Sequence, residues 1–335
     1  MRFLVTGATS GLGRNAVEWL LKEGHCVHAT GRNKEVGKHL VKLGAKFTEL
    51  DLVTATDVDY NFLLSDCDTV WHCAALSSPW GKYSWFYQIN VLVTSRLAVC
   101  CGKLGIKRFV HVSTPSIYFD FRSHQNITEH YRAKHFANNY VITKYEAEKC
   151  IQECVKSYPD TIYLILRPRG IFGPHDRVII PRILALLKRT KGSLYLPGGG
   201  QSYIDLTFVL NVVYALYLAS INQNIKSGDI FNITNQQPCH LKDLLKALLS
   251  DRLHINYKIR TLPYQFLYGV ATMLEGLAKL TNKEPTLTRY SIGTLYFDMT
   301  LSQEHAIKHL GYKPKYNLNE SIDITANWLQ QNGMV

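Results

Sequence analysis

The sequence lacks the features that mark membrane-spanning, secreted and disulfide-stapled proteins. None of its apolar stretches reaches the ~18 uninterrupted residues that a membrane-spanning helix needs. The N-terminal MRFLVTGATS shows no signal-peptide pattern. The eight cysteines include no CxxC spacing, which argues against a zinc site or a disulfide framework. We therefore expect a cytoplasmic protein with free, mostly buried thiols, no integral membrane segment and no bound metal.

Acidic residues are also scarce, since 38 Lys and Arg oppose 26 Asp and Glu and leave a formal net charge of +12. No run of five or more basic residues appears, although nucleic-acid-binding segments often carry one. The positive charges are scattered, which is typical of a solvated surface with some contribution from a phosphate-rich ligand. We expect no nucleic-acid partner.

The 335 residues, 46% of them hydrophobic, are enough for a sizeable core. Through the first half, β-branched runs such as RFLVT, CVHAT and RFVHVS alternate with helical patterns, which predicts a parallel sheet covered on both faces. From about Gly170 the chain becomes mostly helical with short strands. We predict an α/β protein with a Rossmann doubly wound sheet in residues 1–170. A smaller, mostly helical substrate region should occupy residues 171–335, with some exchange of chain between the two.

A glycine-rich turn, TGATSGLG, separates the first predicted strand from the first helix. Gly7 permits a sharp turn, Gly11 lets the backbone approach a pyrophosphate, and the helix N-terminus after Gly13 favours its negative charge. The spacing is GxxxGxG rather than GxGxxG, so a tight turn without a ligand is the alternative. The turn alone is a weak signal of a dinucleotide site.

The end of the second predicted strand, HATGRNK, bears on the choice of nicotinamide cofactor. An acidic residue at this place binds the adenosine ribose hydroxyls, whereas a basic residue accommodates a 2′-phosphate. The segment has no acid and carries Arg32 and Lys34. NADP is therefore favoured and NAD is the alternative. Arg14 is either a second cationic contact or a solvated residue of the first helical turn.

In NNYVITKYEAEK, Tyr140 and Lys144 stand four residues apart and share one face of a predicted helix. Such a pair is often only solvated. Hydride transfer to a carbonyl, however, builds negative charge on oxygen and needs a nearby proton donor. An ammonium beside a tyrosine stabilises the phenolate and lowers its pKa from about 10. We therefore expect Tyr140 to act as the acid/base and Lys144 to lower its pKa.

A GxxxGxG turn followed by YxxxK resembles the short-chain dehydrogenases/reductases, and further segments along nearly the whole chain resemble the extended branch of that superfamily. Asp51 resembles the aspartate that reaches the adenine, and the NVLVT stretch 90–94 resembles the NVxGT helix. The resemblance implies an NAD(P)-dependent enzyme. The cofactor contacts that it implies are Gly7, Thr9, Ser10, Gly11, Leu12, Gly13, Arg32, Asp51, Leu52, Ala74, Ala75, Asn90, Tyr140, Lys144 and Pro168. Among these, Ala74 and Ala75 would lie beside the ribose, Pro168 beside the nicotinamide, and Lys144 would hold the nicotinamide ribose.

The same resemblance places the catalytic hydroxyl in RFVHVSTPSIY. Alignment with the superfamily's SS/ST pair selects Thr114, with Ser113 as the alternative and Ser116 as a further candidate. Hydroxyls that only cap a strand end are the structural alternative for each of them.

Three segments resemble the 3β-hydroxysteroid dehydrogenase-like family, which includes sterol dehydrogenases and bacterial 2-alkyl-3-oxoalkanoate reductases. They are AALSSPWGKYSWFYQINV, LRPRGIFGPHDRVIIPRIL and GGGQSYIDLTFVLNVVYALYLA. The resemblance implies a small apolar ketone or alcohol as substrate. The implied substrate contacts are Ser77, Trp80, Ser116 and Arg169. Nucleotide-sugar enzymes of this fold typically carry an arginine before the aspartate of an RDxxxV segment, and Ile204 stands there before Asp205.

The stretch LPYQFLYGVATMLEGLAKL, residues 262–280, has more apolar residues at helical spacing than one packing stripe requires. Either it is a buried core helix, or it is a lid or membrane-touching helix that lines an acyl or sterol channel. Peripheral membrane contact is thus one of the expected partnerships.

Two further functions stay open beside the oxidoreductase. One is a nucleotide-sugar epimerase, dehydratase or reductase. The other is a regulator that senses NADP without chemistry, although such regulators often lose the tyrosine or the lysine that this chain keeps. A homodimer through the predicted helices 90–104 and 138–157 is consistent with their apolar faces, and so is packing against the sheet.

Overall fold

The computed structural model describes residues 1–281 and 283–335, and a parallel sheet of seven strands forms its centre. Numbered along the chain, the strands are β1 (Arg2–Thr6), β2 (Cys26–Gly31), β3 (Lys46–Glu49), β4 (Thr69–His72), β5 (Arg108–Val112), β6 (His124–Ile127), β7 (Ile162–Pro168), β8 (Ile171–Phe172), β9 (Ser193–Pro197), β10 (Tyr203–Ile204), β11 (Thr207–Phe208), β12 (Ile230–Ile233), β13 (Cys239–His240), β14 (Lys258–Leu262) and β15 (Met299–Leu301). The central order is β3-β2-β1-β4-β5-β7-β12. The predicted Rossmann fold is confirmed.

Helices cover both faces of this sheet, and others belong to the second half of the chain. In chain order the helices are α1 (Gly11–Lys22), α2 (Lys34–Lys42), α3 (Asp57–Leu64), α4 (Tyr83–Phe86), α5 (Val93–Lys103), α6 (Asn139–Ser157), α7 (Ile180–Arg189), α8 (Val209–Ile221), α9 (Leu241–Leu245), α10 (Tyr264–Thr281), α11 (Arg289–Tyr296) and α12 (Leu318–Gln331). A wider π-helical segment, Tyr87–Leu92, joins α4 to α5. Among the helices described, none has both the length and the hydropathy needed to cross a bilayer.

The alternation of side chains along β1 explains why both faces must be covered. Phe3 and Val5 join a buried cluster with α1 and α8, whereas Leu4 between them joins a second cluster with α3, α5 and α6. Successive residues of a strand point to opposite faces, so a strand that is apolar at every position needs helices on both sides. A third cluster, with α7, α9 and α12, forms the core of the second half.

The two halves of the chain exchange strands. β12, from the second half, forms the edge of the central sheet beside β7. In the opposite direction, β6 pairs with β15 in a four-stranded sheet of order β13-β10-β15-β6. Helix α8 adds to the exchange, because Arg108 at the start of β5 donates to the carbonyls of Ala219 and Asn222.

A buried ion pair fixes α6 on the sheet. Arg167 in β7 donates from Nε to Glu148 Oε1 at 2.9 Å and from Nη2 to Glu148 Oε2 at 2.5 Å, and both side chains are almost fully buried. Arg167 also donates to the Tyr118 hydroxyl and to the Glu129 carbonyl, and Tyr118 in turn donates to Asn232 in β12. The pair therefore joins α6 to β7, β12 and the segment after β5.

We predict that Arg167→Met lowers the free energy of unfolding by about 3–5 kcal/mol, because it leaves the Glu148 carboxylate buried without its cation. Chemical denaturation measures the change. Lys156→Met is the matched control on α6, since its ion pair with Glu153 is exposed and should matter by no more than about 1 kcal/mol. Equal losses in the two variants would contradict the prediction.

Candidate active site

The glycine turn between β1 and α1 lies against the end of β4. Gly7 has a φ of +66°, and a Cβ at this position would lie 2.8 Å from the backbone nitrogen of Ala74. A Cβ on Gly13 would lie 2.3 Å from the Gly7 carbonyl oxygen. Gly11 differs, because its φ is +48° and a Cβ there would meet no described atom within 4 Å. Gly7 and Gly13 therefore make the turn compact, while Gly11 leaves open space at the helix start.

This open space suits an anionic group such as the pyrophosphate of a dinucleotide. Ser10 is the N-cap of α1, and within the described structure its side chain makes no capping hydrogen bond. The first turn of α1 contains no acidic residue. The positive end of the helix dipole and unpaired backbone N–H groups favour an anion there. Thr9 packs against Gly31 at the end of β2, and Leu12 packs against the core.

At the adenosine end, the predicted cofactor contacts Arg32 and Asp51 form an exposed ion pair, with Nη1 and Oδ2 3.6 Å apart. Asp51 Oδ1 also accepts from the backbone nitrogen of Val53 at 3.0 Å. The neighbouring Leu52 is buried, and its carbonyl accepts from the Tyr60 hydroxyl at 2.7 Å. Arg32 therefore has an acidic partner, Asp51, although β2 itself ends without an acid.

Asn90 is buried in the π-helical segment and ties two parts of the site together. Its Oδ1 accepts from the Leu76 backbone nitrogen at 2.8 Å, and its Nδ2 donates to the Leu76 carbonyl and to Thr143 Oγ1, both at 3.2 Å. Ala74 and Ala75 lie in the same loop after β4, and Pro168 ends β7. Asn90 therefore positions this loop against α6.

The structure brings Tyr140 together with two predicted site residues that carry hydroxyls, Thr114 and Ser77. Burial raises the pKa of Tyr140 to about 12 and Tyr290 adds to the rise, while hydrogen bonds with the hydroxyls of Thr114 and Ser77 oppose it. Thr114 Oγ1 donates to Ser116 Oγ at 2.9 Å, and Ser116 Oγ lies 2.7 Å from the Tyr290 hydroxyl. A chain of hydroxyl groups thus runs from Tyr140 to Tyr290.

The other predicted hydroxyl, Ser113, lies outside this chain. Its backbone nitrogen donates to the Leu166 carbonyl at 2.7 Å, which joins β5 to β7. Its Oγ is buried, and no described atom is within hydrogen-bond reach of it. The geometry therefore favours Thr114 over Ser113 as the hydroxyl beside Tyr140.

Lys144 is almost fully buried and directs its ammonium group at β5. Its Nζ donates to the Val112 carbonyl at 2.7 Å and lies 2.8 Å from His111 Nε2. Burial lowers the pKa of Lys144 to about 7, with Glu148 and Cys73 opposing the shift. Burial and not Lys144 dominates the pKa of Tyr140 in this structure, and the Lys144 ammonium donates to β5, so the expected lowering of the Tyr140 pKa by Lys144 stays a prediction.

Tyr290 in α11 is the site residue that the sequence pattern did not reveal. It lies far from Tyr140 along the chain, and no local motif marks it. Arg169, a predicted substrate contact, lies near it: its Nε donates to the Met299 carbonyl at 3.2 Å. Burial lowers the pKa of Arg169, with Tyr290 and Asp205 opposing. No carboxylate of the described residues lies within 4 Å of its guanidinium nitrogens.

A cleft of about 920 Å³ opens beside this centre, between the segments 79–86 and 120–139 and helix α10. Trp80, Phe86 and Tyr290 line it, and the Phe86 and Tyr140 rings are 6.4 Å apart. Ile204, where nucleotide-sugar enzymes typically have an arginine, is buried in the third core cluster. In the part of the chain that the structure describes, no group of three or more His, Cys, Asp or Glu forms a metal site, and the eight cysteines are free.

Comparison with known proteins bears on the family and the fold. The sequence model of the NAD dependent epimerase/dehydratase family matches residues 3–234. The uncharacterized protein YbjS of Escherichia coli (strain K12) is 42% identical, over 99% of both chains. The sterol-4-alpha-carboxylate 3-dehydrogenase, decarboxylating, of Mus musculus is 27% identical, over 96% of this chain and 89% of its own. The 2-alkyl-3-oxoalkanoate reductase of Shewanella oneidensis is 28% identical, over 95% and 84%.

The solved structures extend the likeness at the level of the fold. UDP-glucuronic acid 4-epimerase from Bacillus cereus, in complex with NAD, superposes with a TM-score of 0.79. The two sequences are 19% identical, and the match covers 99% of this chain and 97% of the epimerase. At this identity the similarity supports a shared fold and carries no information on the substrate.

We predict that the buried Lys144 makes stability depend on pH. Its native pKa near 7 lies below the unfolded value of about 10.4, so the unfolded chain binds more protons between these values. The lysine contribution to the free energy of unfolding therefore rises as pH increases from 7 to 10. Relative to the wild type, Lys144→Met should become progressively more stable as pH falls across this window.

Denaturant unfolding at several pH values between 6 and 10 measures this difference. Lys149→Met, at an exposed position of the same helix, is the matched control. A difference between Lys144→Met and the wild type that does not vary with pH would show that the lysine titrates alike in both states.

Proposed function

Since the chain belongs to the NAD dependent epimerase/dehydratase family, we propose that it interconverts a secondary alcohol and a ketone on an apolar substrate. The observation that carries the proposal is the cluster of Tyr140, Thr114 and Ser77 hydroxyls beside the cleft, at the same edge of the sheet as the glycine turn. In this fold, ligands bind where the carboxyl ends of the strands meet. Residues 1–170 would hold the cofactor and residues 171–335 would supply the substrate side.

In the proposed reaction each of these side chains has a defined task. The bound cofactor would supply or accept the hydride. Tyr140, whose pKa near 12 keeps it neutral at pH 7, holds the proton that the carbonyl oxygen receives. Thr114, whose hydroxyl donates to Ser116 in this structure, would turn its proton to that oxygen as negative charge develops on it. Lys144 lies one turn from Tyr140 on α6 and would hold the nicotinamide ribose.

An apolar substrate agrees with both the cleft and the relatives. Trp80 and Phe86 contribute apolar surface, and Ile204 offers no cation for a sugar diphosphate. The names of the mouse and Shewanella relatives specify a sterol carboxylate and an oxoalkanoate, each with a carboxylate two carbons from the reacting carbon. We propose that Arg169, which lacks an acidic partner in the described structure, holds such a carboxylate.

We predict that Tyr140→Phe lowers turnover by about a thousandfold, since the ring stays and the transferable proton is lost. Cofactor binding should be unchanged, which titration of NADPH fluorescence checks. The assay follows NADPH and NADH oxidation over 3-oxo acids, 3-ketosteroids and nucleotide sugars. Tyr145→Phe on the same helix is the control and should keep full turnover.

Each result of this assay separates the functions under consideration. Turnover of a nucleotide sugar alone would replace the proposed substrate class. Cofactor binding with no turnover of any ketone by the wild type would favour a sensor of NADP over an enzyme.

We also propose that NADP is preferred over NAD, because Arg32 directly follows β2, where a basic residue accommodates a 2′-phosphate, and β2 ends without an acid. Arg32→Ala should then raise the KM for NADPH by about tenfold, the loss of one charged hydrogen bond. The KM for NADH serves as the internal control and should change little. An equal rise in the KM for NADPH and for NADH would contradict the preference. It would fit an Arg32 that binds Asp51 and not a 2′-phosphate.

A further inference from the structure

Two stacked imidazole rings are buried in the central sheet, and the proposed reaction uses neither of them. His72 ends β4 and His111 lies in β5, and the two residues are direct neighbours in the register of the paired strands. Both side chains are fully buried. Their ring centroids are 5.3 Å apart, with an angle of 30° between the planes. Buried polar rings need hydrogen-bond partners, and the partners of each ring indicate its role.

The hydrogen bonds of His72 fix its proton on one nitrogen. Thr94 Oγ1 donates to the Asn90 carbonyl at 2.7 Å, so its hydroxyl has no further proton and accepts from His72 Nε2 at 2.9 Å. Burial lowers the pKa of His72 to about 3, which keeps the ring neutral at pH 7. His72 Nδ1 therefore accepts from Thr6 Oγ1 at 2.8 Å. With both nitrogens satisfied, His72 holds β1, β4 and the start of α5 together.

His111 differs, because one of its nitrogens has a charged partner and the other has none. Its Nε2 lies 2.8 Å from Lys144 Nζ. An ammonium group only donates hydrogen bonds, so Nε2 accepts from a charged Lys144 and the imidazole proton stays on Nδ1. Burial lowers the pKa of His111, which also keeps this ring neutral. His111 Nδ1 is buried, and among the described residues it has no hydrogen-bond partner.

The unpaired Nδ1 makes a histidine unfavourable at this position. A buried N–H without an acceptor lowers stability, whereas an apolar side chain of similar size would not. Phe109 and Val110, which precede His111 in the same strand, are apolar and fully buried. An aromatic ring without nitrogen could also stack on His72. The contact that such side chains could not make is the hydrogen bond with Lys144.

Lys144 is held on two sides by β5. Its Nζ donates to the Val112 carbonyl at 2.7 Å and to His111 Nε2 at 2.8 Å. An ammonium group has three N–H donors in a tetrahedral arrangement. Two of them are directed at β5, so the third points away from this strand. Within the described structure these two hydrogen bonds leave the third donor for a ligand.

The ionisable groups around Lys144 do not compete with His111 for this ammonium. Glu148 on α6 and Cys73 after β4 face Lys144, but Glu148 is paired with Arg167. Burial raises the pKa of the Cys73 thiol to about 12, so the thiol is neutral at pH 7. His72 on β4 faces Lys144 as a neutral ring. The direction of the ammonium is therefore set by β5.

We propose that His111 is a positioning residue: it accepts a hydrogen bond from Lys144 and, with the Val112 carbonyl, turns the third N–H of the lysine toward the ribose of the nicotinamide cofactor. The inference rests on the proposed function, because it takes that cofactor to be the ligand. The contact between His111 and Lys144 is independent of the function. In this role His111 acts through Lys144 and contacts no reacting atom.

The first test measures the Kd for NADPH by titration of its fluorescence. His111→Leu removes the acceptor and should raise the Kd about tenfold, because a charged hydrogen bond to the cofactor is no longer held in place. His111→Gln keeps an acceptor at a similar distance from the backbone, so it should bind within about twofold of the wild type. His28→Leu is the matched control and should bind like the wild type. His28 is also buried, and its Nε2 also makes a 2.8 Å hydrogen bond, with Thr48.

The second test follows Lys144 itself and needs no turnover. In protein labelled with carbon-13 at the lysine Cε, NMR reports the pKa of each lysine, and Lys144→Met identifies the signal of Lys144. The wild-type signal should give a pKa of about 7. In His111→Leu the pKa should lie about one pH unit lower, because the ammonium has lost an acceptor that stabilises its charge. In His111→Gln the pKa should stay at the wild-type value.

Thermal unfolding establishes that each variant is folded, and His111→Met replaces His111→Leu if the leucine variant is not. Equal NADPH affinity in the wild type and His111→Leu would overturn the proposal, even if the pKa of Lys144 changed. Equal loss of affinity in His111→Leu and His28→Leu would also overturn it, because the loss would then follow from removal of any buried imidazole.

The outcomes also separate this inference from the proposed function. A wild type whose NADPH binding depends on His111 but which turns over no ketone would contradict the proposed reaction and leave the role of His111 standing. Ketone turnover by the wild type, together with wild-type NADPH affinity in His111→Leu, would do the reverse.

Discussion

The buried pair of Glu148 and Arg167 is the contact on which the geometry of the site depends. Glu148 lies one turn beyond Lys144 on α6, and Arg167 lies next to Pro168 at the end of β7. Two charges in the interior are stable only when each satisfies the other, so α6 has a single favourable position along the sheet. Tyr140 is carried by the same helix. Its distance from the strand ends is therefore set by an interaction that takes no part in the proposed chemistry.

Much of the site was predictable from the sequence where function depends on local spacing. The glycine turn needs a left-handed Gly11 and compact packing at Gly7, and both requirements are visible as glycines between a strand and a helix. The four-residue spacing of Tyr140 and Lys144 places them on one helical face by geometry alone. The fold was predictable for the same reason, because the alternation of strands and helices admits few arrangements.

What the sequence did not reveal depends on contacts between distant segments. Tyr290 approaches Tyr140 only because α11 packs there, and no motif precedes it. The direction of the Lys144 ammonium group depends on His111 and Val112, which belong to β5 and not to the helix that carries Lys144. Burial, the main reason for the high pKa of Tyr140, is a property of the folded chain. The pattern of residues 262–280 showed excess apolar residues but not which face was covered.

The exchange of strands has a consequence for synthesis of the chain. The central sheet is completed only by β12, so a nascent chain that has emerged through β7 still has an open sheet edge. Unpaired edges promote association between chains. The Arg167 side chain likewise gains its link to β12 through Tyr118 and Asn232 only at that stage. Until Ile233 has left the ribosome, β7 therefore presents the edge that β12 covers in the folded protein, and association between nascent chains is favoured during that interval.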